Sequence, residues 1–305
     1  MTITSSSLCA VADRAYIATR PLDGRESETM IRRGFLTLVG IVGLGFGSAA
    51  MAQDADAEML YDALQMSDIV DIMHEEGIKY GGQVGTDLFP ERAGAQWAQT
   101  VAKIYDPLKM HRQSKQGFLA AVAGQDNAVA LSFMQSNIGA KFVALEVSAR
   151  RALLDESVDA IAREAAATAM RDKTARFKLL EAFVAANGLI DNNVVGALNS
   201  NFAFYTGLMD GGAFENVLTE DQILADVWAQ EPDVRAQTQE WVYSYLLLAY
   251  DPMSREDLAR YVAFSKTAPG IALNRALFTA FDDMFDQISY DLGRAAAEVM
   301  SAQDL

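Results

Sequence analysis

The chain has 305 residues, 51% of them hydrophobic and 22% charged, and its formal net charge is −16. This composition is too apolar for a disordered chain. The excess of acidic residues argues against binding to nucleic acid or to an anionic membrane, because both are bound through basic surfaces.

The N-terminal region contains the three parts of a secretory signal peptide. Met30-Ile31-Arg32-Arg33 precedes an uncharged run from Gly34 to Ala52, which ends in the small residues Ala50-Met51-Ala52. A basic start, an apolar middle and a small-residue end are typical of such signals. We therefore predict a signal peptide over 30–52 that is cleaved after Ala52, and a periplasmic protein. Residues 1–29 are interpreted as a misassigned start or a long leader.

The export route stays open between the general secretory and the twin-arginine pathways, since Arg32-Arg33-Gly34-Phe35-Leu36 resembles a twin-arginine signal. A retained membrane anchor is the alternative, because 19 uncharged residues fall within the spanning range. The glycines of this segment weaken it as a helix, so we expect no stable membrane span after cleavage. Cleavage also removes Cys9, the only cysteine, and with it any disulfide or cysteine-bound metal.

After residue 52, apolar residues recur at spacings of three and four, which predicts an all-α helical bundle. The clearest stripe predicts a final helix over 268–303, with apolar residues at every seventh position: Ile271, Phe278, Phe285, Leu292 and Val299. A second long helix is predicted over 139–172. Its predicted apolar side comprises Val147, Leu154, Val158, Ile161 and Ala165.

Two landmarks recur 131 residues apart. Trp97-Ala98-Gln99 matches Trp228-Ala229-Gln230, and the segment from Phe133 to Gly139 matches that from Phe264 to Gly270. Gly81-Gly82 and Gly211-Gly212 match at nearly the same offset, and we interpret both pairs as helix ends. The sequence therefore predicts two tandem similar units, 53–172 and 173–305, each ending in a long helix.

The second copy of this motif, preceded by Ser254-Arg255-Glu256-Asp257-Leu258, resembles a secreted bacterial family, that of domain of unknown function 2059. The resemblance covers about residues 250–300. The first copy matches only at Phe133, Ser136 and Gly139, and neither copy has the usual Ser-Pro turn. Because that family is uncharacterised, the resemblance implies no activity.

The repeated motif is interpreted as a sharp, capped turn between two helices, which we call an elbow. Ser136 and Thr267 are predicted to cap the helices that follow them. Gly139 and Gly270 would allow close approach of two helices, and Phe133 and Phe264 would fill the angle between them. A ligand-binding elbow is the alternative interpretation. Trp97 and Trp228 are predicted to pack in the core. Their alternative is to line a hydrophobic groove together with Tyr243, Tyr245 and Tyr250.

No catalytic, metal or cofactor site is predicted. His74 and His111 lack the H-E-x-x-H spacing of a zinc site. The paired carboxylates are interpreted as solvated helix faces; they are Glu75/Glu76, Asp155/Glu156/Asp159 and Asp282/Asp283/Asp286.

We therefore predict a non-catalytic binding or interaction module of the bacterial cell envelope. Its expected binding site is a groove between the two long helices, and its expected partner is an envelope protein or a hydrophobic, lipid-like ligand. The alternatives are a periplasmic hydrolase that uses carboxylates and a membrane-tethered structural protein. The sequence leaves the oligomeric state open.

Overall fold

The computed structural model describes residues 46–214 and 219–301, with side chains from residue 55 onward. The chain is all-α, since these residues form helices joined by short turns and contain no strand. The predicted fold class is thus confirmed. In chain order the helices are α1 Phe46–Ala63, α2 Met66–Leu88, α3 Ala95–Ile104, α4 Pro107–Val122, α5 Ala128–Gln135, α6 Asn137–Ala152, α7 Glu156–Asp172, α8 Ala175–Asn187, α9 Leu189–Asp210, α10 Glu220–Trp228, α11 Glu231–Tyr250, α12 Arg255–Ser265 and α13 Ala268–Ser301.

Short polar side chains begin many of these helices. The Asp106 carboxylate accepts a hydrogen bond from the Lys109 backbone N–H at 2.8 Å, and Pro107 follows it in the first turn. Thr219 and Gln222 form a reciprocal capping box at the start of α10. Such caps satisfy backbone donors that have no partner within the helix, and therefore fix where each helix starts.

Helix α13 is the central element of the bundle and has the length predicted from its apolar stripe. Phe278, Phe285 and Leu292 are buried, whereas Ile271 at the helix start is exposed. The helix packs against α9 and α4. Its crossing with α9 is close, because a Cβ at Gly293 would lie 2.1 Å from the carbonyl oxygen of Phe204.

The predicted long helix over 139–172 is wrong, because the chain breaks into α6 and α7. The Asp155 side chain accepts hydrogen bonds from the backbone N–H groups of Ser157 and Val158, so it starts a new helix there. The buried face of α7 also differs from the prediction. Ala162 and Ala166 are buried, while Ile161 is 69% exposed.

One of the two predicted glycine helix ends is also wrong. Gly81 and Gly82 lie inside α2 instead of at its end, and Gly81 is buried because the side chain of Val101 packs against it. Gly211 does end a helix, as predicted.

We call residues 53–172 the first half and residues 173–305 the second half. Helix α4 of the first half packs on α13 of the second, and α11 of the second half packs on α6 and α7 of the first. Each half thus contributes a helix to the other. The tandem duplication itself stays a prediction.

In the described part of the chain, no single helix is both long and apolar enough to span a membrane. Helices α5 and α6 meet that criterion only as a pair, by length and composition, and they are bent by 75° at their junction. The predicted leader and most of the predicted signal peptide, up to residue 45, lie outside the described residues.

Candidate ligand-binding cavity

A cavity of about 170 Å³ lies between the two halves. Its wall includes side chains from α6 and α13, together with others from α2, α9 and α11, whereas α7 does not contribute. The predicted groove between the two long helices stays a prediction. Most of the lining is apolar, with Met66, Met73, Leu246, Leu273 and Phe281 among the contributors. A concave space lined by large hydrophobic side chains is the usual setting of a small-molecule site.

Glu146 of α6 is the carboxylic acid in the cavity wall. The hydroxyl groups of Tyr250 and Tyr261 both donate to its Oε1, at 2.5 and 3.2 Å. Desolvation raises the pKa of Glu146 from 4.5 to about 7, although these two hydrogen bonds oppose the shift. The cavity thus contains an acid that is close to half ionised at neutral pH.

Arg150, one turn further along α6, also reaches the cavity but is already paired. Its Nε and Nη2 donate to the two carboxylate oxygens of Glu76 on α2, at 3.1 and 2.7 Å. Both side chains are almost inaccessible to solvent. Burial lowers the pKa of Arg150, but the charge and hydrogen bonds of Glu76 together outweigh that effect and hold it above its ordinary value. The two charges neutralise one another.

Two further polar side chains of the wall are Asn193 and Tyr245. Asn193 is buried, and its Nδ2 donates to the carbonyl oxygen of Leu189 at 2.6 Å, while its Oδ1 has no hydrogen-bond partner among the described residues. Tyr245 is stacked on Trp241, with ring centroids 5.3 Å apart, and no hydrogen bond to its hydroxyl is seen in the described part of the chain. A buried amide oxygen without a partner is costly, so Asn193 marks a place where a ligand donor would be stabilising.

Both predicted elbows have the expected local geometry. Ser136 Oγ accepts from the Gly139 N–H at 3.1 Å, and Thr267 Oγ1 accepts from the Gly270 N–H at 3.2 Å. Each hydroxyl also donates to the carbonyl oxygen three residues before it, that of Phe133 or Phe264. Ser136 and Thr267 are therefore helix caps.

The two elbows also contact each other. The rings of Phe133 and Phe264 are stacked face to face, with centroids 3.9 Å apart and an interplanar angle of 1°. Phe264 and Gly270 line the cavity, whereas Phe133, Ser136, Thr267 and Gly139 do not. The second elbow is thus part of the cavity wall, and the first packs against it and contributes Met134 to the same wall.

The two tryptophans lie in different surroundings, and neither lines the cavity. Trp97 is buried, and its Nε1 donates to the carbonyl oxygen of Gly81 at 2.7 Å. The prediction that both pack in the core is wrong for Trp228, which is 47% exposed at the end of α10. The equivalence of the Trp-Ala-Gln segments therefore does not extend to their packing.

The other candidate side chains are held in local contacts outside the cavity. The ring of His74 is bonded to the carbonyl oxygen of Tyr105, and that of His111 to Asp71, each at 2.7 Å. Glu75 pairs with Arg151, Asp155 caps α7, and Asp159 pairs with Arg163. No cluster of side chains suited to a metal ion lies within the described ranges.

Sequence reasoning missed Glu146, Asn193 and Tyr261, whereas Tyr245 and Tyr250, which were named in the groove alternative, do line the cavity. A signal was present for one of them, because Glu146 lies four residues after Phe142 and three after Val143, both of which are apolar. A carboxylate in the middle of the buried side of a helix is unusual. For Asn193 and Tyr261 the sequence offered no comparable signal, since their meeting depends on how the two halves pack.

No family model matches this chain, and neither a curated protein nor a solved structure matches it. The resemblance to the family of domain of unknown function 2059 accordingly stays a prediction.

Proposed function

We propose that this protein is an exported, non-catalytic binding protein of the bacterial cell envelope, and that it holds a compact, largely apolar ligand in the central cavity. The cavity itself, of about 170 Å³ and lined mainly by hydrophobic side chains, is the observation that carries the proposal. An apolar cavity of about 150 Å³ is large enough for benzene. The space suits a single small ring or a short branched chain better than a whole lipid.

The proposed location is supported by the signal-peptide pattern of residues 30–52. The buried side chains described for α1 include Ala57, Leu60 and Tyr61, which lie beyond the predicted cleavage point. Cleavage after Ala52 would leave these contacts in place. Sequencing the N-terminus of the periplasmic protein tests this proposal. Gln53 at the terminus is the expected result, and an uncleaved leader would overturn it.

Binding is favoured over catalysis because the cavity offers few reactive groups. Arg150 is held by Glu76, and the described lining residues include neither a histidine nor a serine next to a histidine. A carboxylate-based hydrolase remains the second candidate, since an acid whose pKa lies near 7 is suited to proton transfer. Turnover of a small ester or amide that is lost in Glu146→Gln would favour that alternative.

The binding proposal is tested by thermal unfolding of the purified protein in the presence of a neutral apolar probe, toluene. Ligand binding to the folded state raises the melting temperature. At ten times the dissociation constant the gain is about 1.4 kcal/mol, or about 3 °C for a chain of this size. No shift at any soluble concentration would overturn the proposal.

A pair of matched variants locates the site. Leu277 lines the cavity and is partly buried, so Leu277→Phe should fill space and abolish the toluene effect. Leu119 is also partly buried but does not line the cavity, so Leu119→Phe should leave the toluene effect intact. Equal responses in the two variants would place the site elsewhere.

A further inference from the structure

The cavity has an excess of one negative charge when Glu146 is ionised. Arg150 and Glu76 form a bidentate pair and cancel each other. The charged and titratable groups that face Glu146 from the neighbouring helices are this pair and the hydroxyls of Tyr245, Tyr250 and Tyr261. Desolvation raises the pKa of each of these three tyrosines well above 10, so they stay neutral. Within the described ranges, Glu146 therefore has no cationic partner of its own.

The unused hydrogen-bonding atoms of the cavity wall are mostly acceptors. Both tyrosine hydroxyls donate to Oε1 of Glu146, and Oε2 accepts no hydrogen bond from any described residue. Asn193 Oδ1 is buried and equally without a partner, and the Tyr245 hydroxyl can accept as well as donate. A ligand that satisfies these atoms must bring hydrogen-bond donors.

We propose that the ligand of this cavity is a small hydrophobic primary amine, bound as its ammonium ion with Glu146 as the counter-ion. This inference rests on the proposed function of the cavity as a binding site. An ammonium group carries one positive charge and three N–H donors, which matches one carboxylate and the unpaired acceptors. The aromatic rings of Tyr245, Tyr250 and Trp241 in the wall also favour a cation.

An anionic ligand fits the same wall poorly. A carboxylate or a phosphate would be repelled by Glu146, and it would have to displace Glu76 to reach Nε and Nη2 of Arg150. Breaking a buried ion pair by removing one partner is strongly destabilising.

The net charge of the processed chain also favours a cationic ligand over an anionic one. The first 52 residues hold five of the 25 basic and four of the 41 acidic residues, which leaves 20 basic against 37 acidic in the processed chain. Such a surface attracts cations.

The test compares three probes that share one ring but differ in charge, namely benzylamine, benzyl alcohol and benzoate. Calorimetric titration at pH 8 should give an affinity for benzylamine at least tenfold higher than for benzyl alcohol, and no binding of benzoate. Glu146→Gln should remove the preference for the amine and keep the binding of benzyl alcohol. Glu164→Gln, at an exposed position of α7, should behave as the unaltered protein.

A pH profile of the unaltered protein provides a second measurement that needs no variant. Below pH 7 the carboxyl of Glu146 holds a proton that the ammonium must displace, so the affinity for benzylamine should fall about tenfold per pH unit. The affinity for benzyl alcohol should stay constant over the same range.

The outcomes separate the two proposals. Benzyl alcohol binding with no preference for benzylamine, or with a preference for benzoate, would overturn the amine and leave the binding cavity standing. A preference for the amine that survives in Glu146→Gln would overturn the assigned counter-ion. Failure of all three probes and of toluene would overturn both proposals.

Discussion

At the scale of single residues, Glu146 shows how position decides the chemistry of a side chain. An exposed glutamate is ionised at neutral pH, but this one faces an apolar cavity, where the hydroxyls of Tyr250 and Tyr261 stabilise its charge. Desolvation outweighs those hydrogen bonds and raises the pKa to about 7. The folded protein therefore keeps a proton there that the unfolded chain releases.

This proton predicts a specific pH dependence of stability. Between pH 4.5 and 7 the folded state binds one more proton at Glu146 than the unfolded state, so the contribution of this group to the free energy of unfolding falls as the pH rises. Relative to Glu146→Gln, the unaltered protein should lose at most about 3 kcal/mol across that window. Urea unfolding at a series of pH values measures the difference. Glu164→Gln is the control, and parallel curves for Glu146→Gln and the unaltered protein would contradict the prediction.

At the scale of helices, the elbows show how a short motif fixes the meeting of two elements. A capping hydroxyl starts α6 and α13, and a glycine three residues later lets the new helix pass close to the preceding turn. A Cβ at Gly270 would lie 2.2 Å from the carbonyl oxygen of Phe264, and one at Gly139 would lie 2.1 Å from that of Phe133. Backbone atoms cannot yield as a flexible side chain would, so both turns require glycine.

Replacing one elbow glycine should therefore destabilise the protein strongly. We expect Gly270→Ala to lower the free energy of unfolding by about 3 kcal/mol, because α12 and α13 must move apart. Gly82 is the matched control: it lies inside α2, and a Cβ there would meet nothing within 4 Å. Gly82→Ala should instead stabilise the protein by about 1 kcal/mol through helix propensity. Thermal unfolding compares the two, and similar melting temperatures would show that the elbow has room for a methyl group.

At the scale of the whole molecule, the two halves depend on each other. Helix α13 is covered by α4 of the first half, α11 packs on α6 and α7, and the stacked rings of Phe133 and Phe264 join the elbows. The cavity lies between the halves and receives lining from both. Neither half holds a complete core or a complete site.

We therefore expect that residues 53–172 and 173–305, produced separately, do not fold. Each would expose the apolar surface that the other covers, and burial of that surface is the main stabilising contribution. Co-expression should restore a helical complex that co-purifies and unfolds in a single transition. Circular dichroism and size-exclusion chromatography provide the measurements. A cooperative thermal transition in either half alone would show that the halves are separate domains.

The sequence by itself determined the all-α class, the course of α13 and the two capped elbows. These features depend on local information, namely apolar spacing, a capping hydroxyl and a glycine at a fixed distance, which neighbouring residues supply. The same local information wrongly predicted one helix over 139–172 in place of α6 and α7, because the cap at Asp155 starts a new helix within a continuous apolar pattern. It also wrongly predicted that Trp228 is buried, because burial depends on which face of a helix packs against the rest of the molecule.

Only the tertiary structure decided the site. Glu146, Asn193 and Tyr261 lie on three different helices and meet because α6, α9 and α12 surround one cavity between the halves. The pKa of Glu146 and the unpaired oxygen of Asn193 follow from that enclosure, since desolvation is a property of the surrounding fold and not of the residue. Periodicity along the chain predicts which face of a helix is buried, but it does not predict which distant side chains will share the space behind that face.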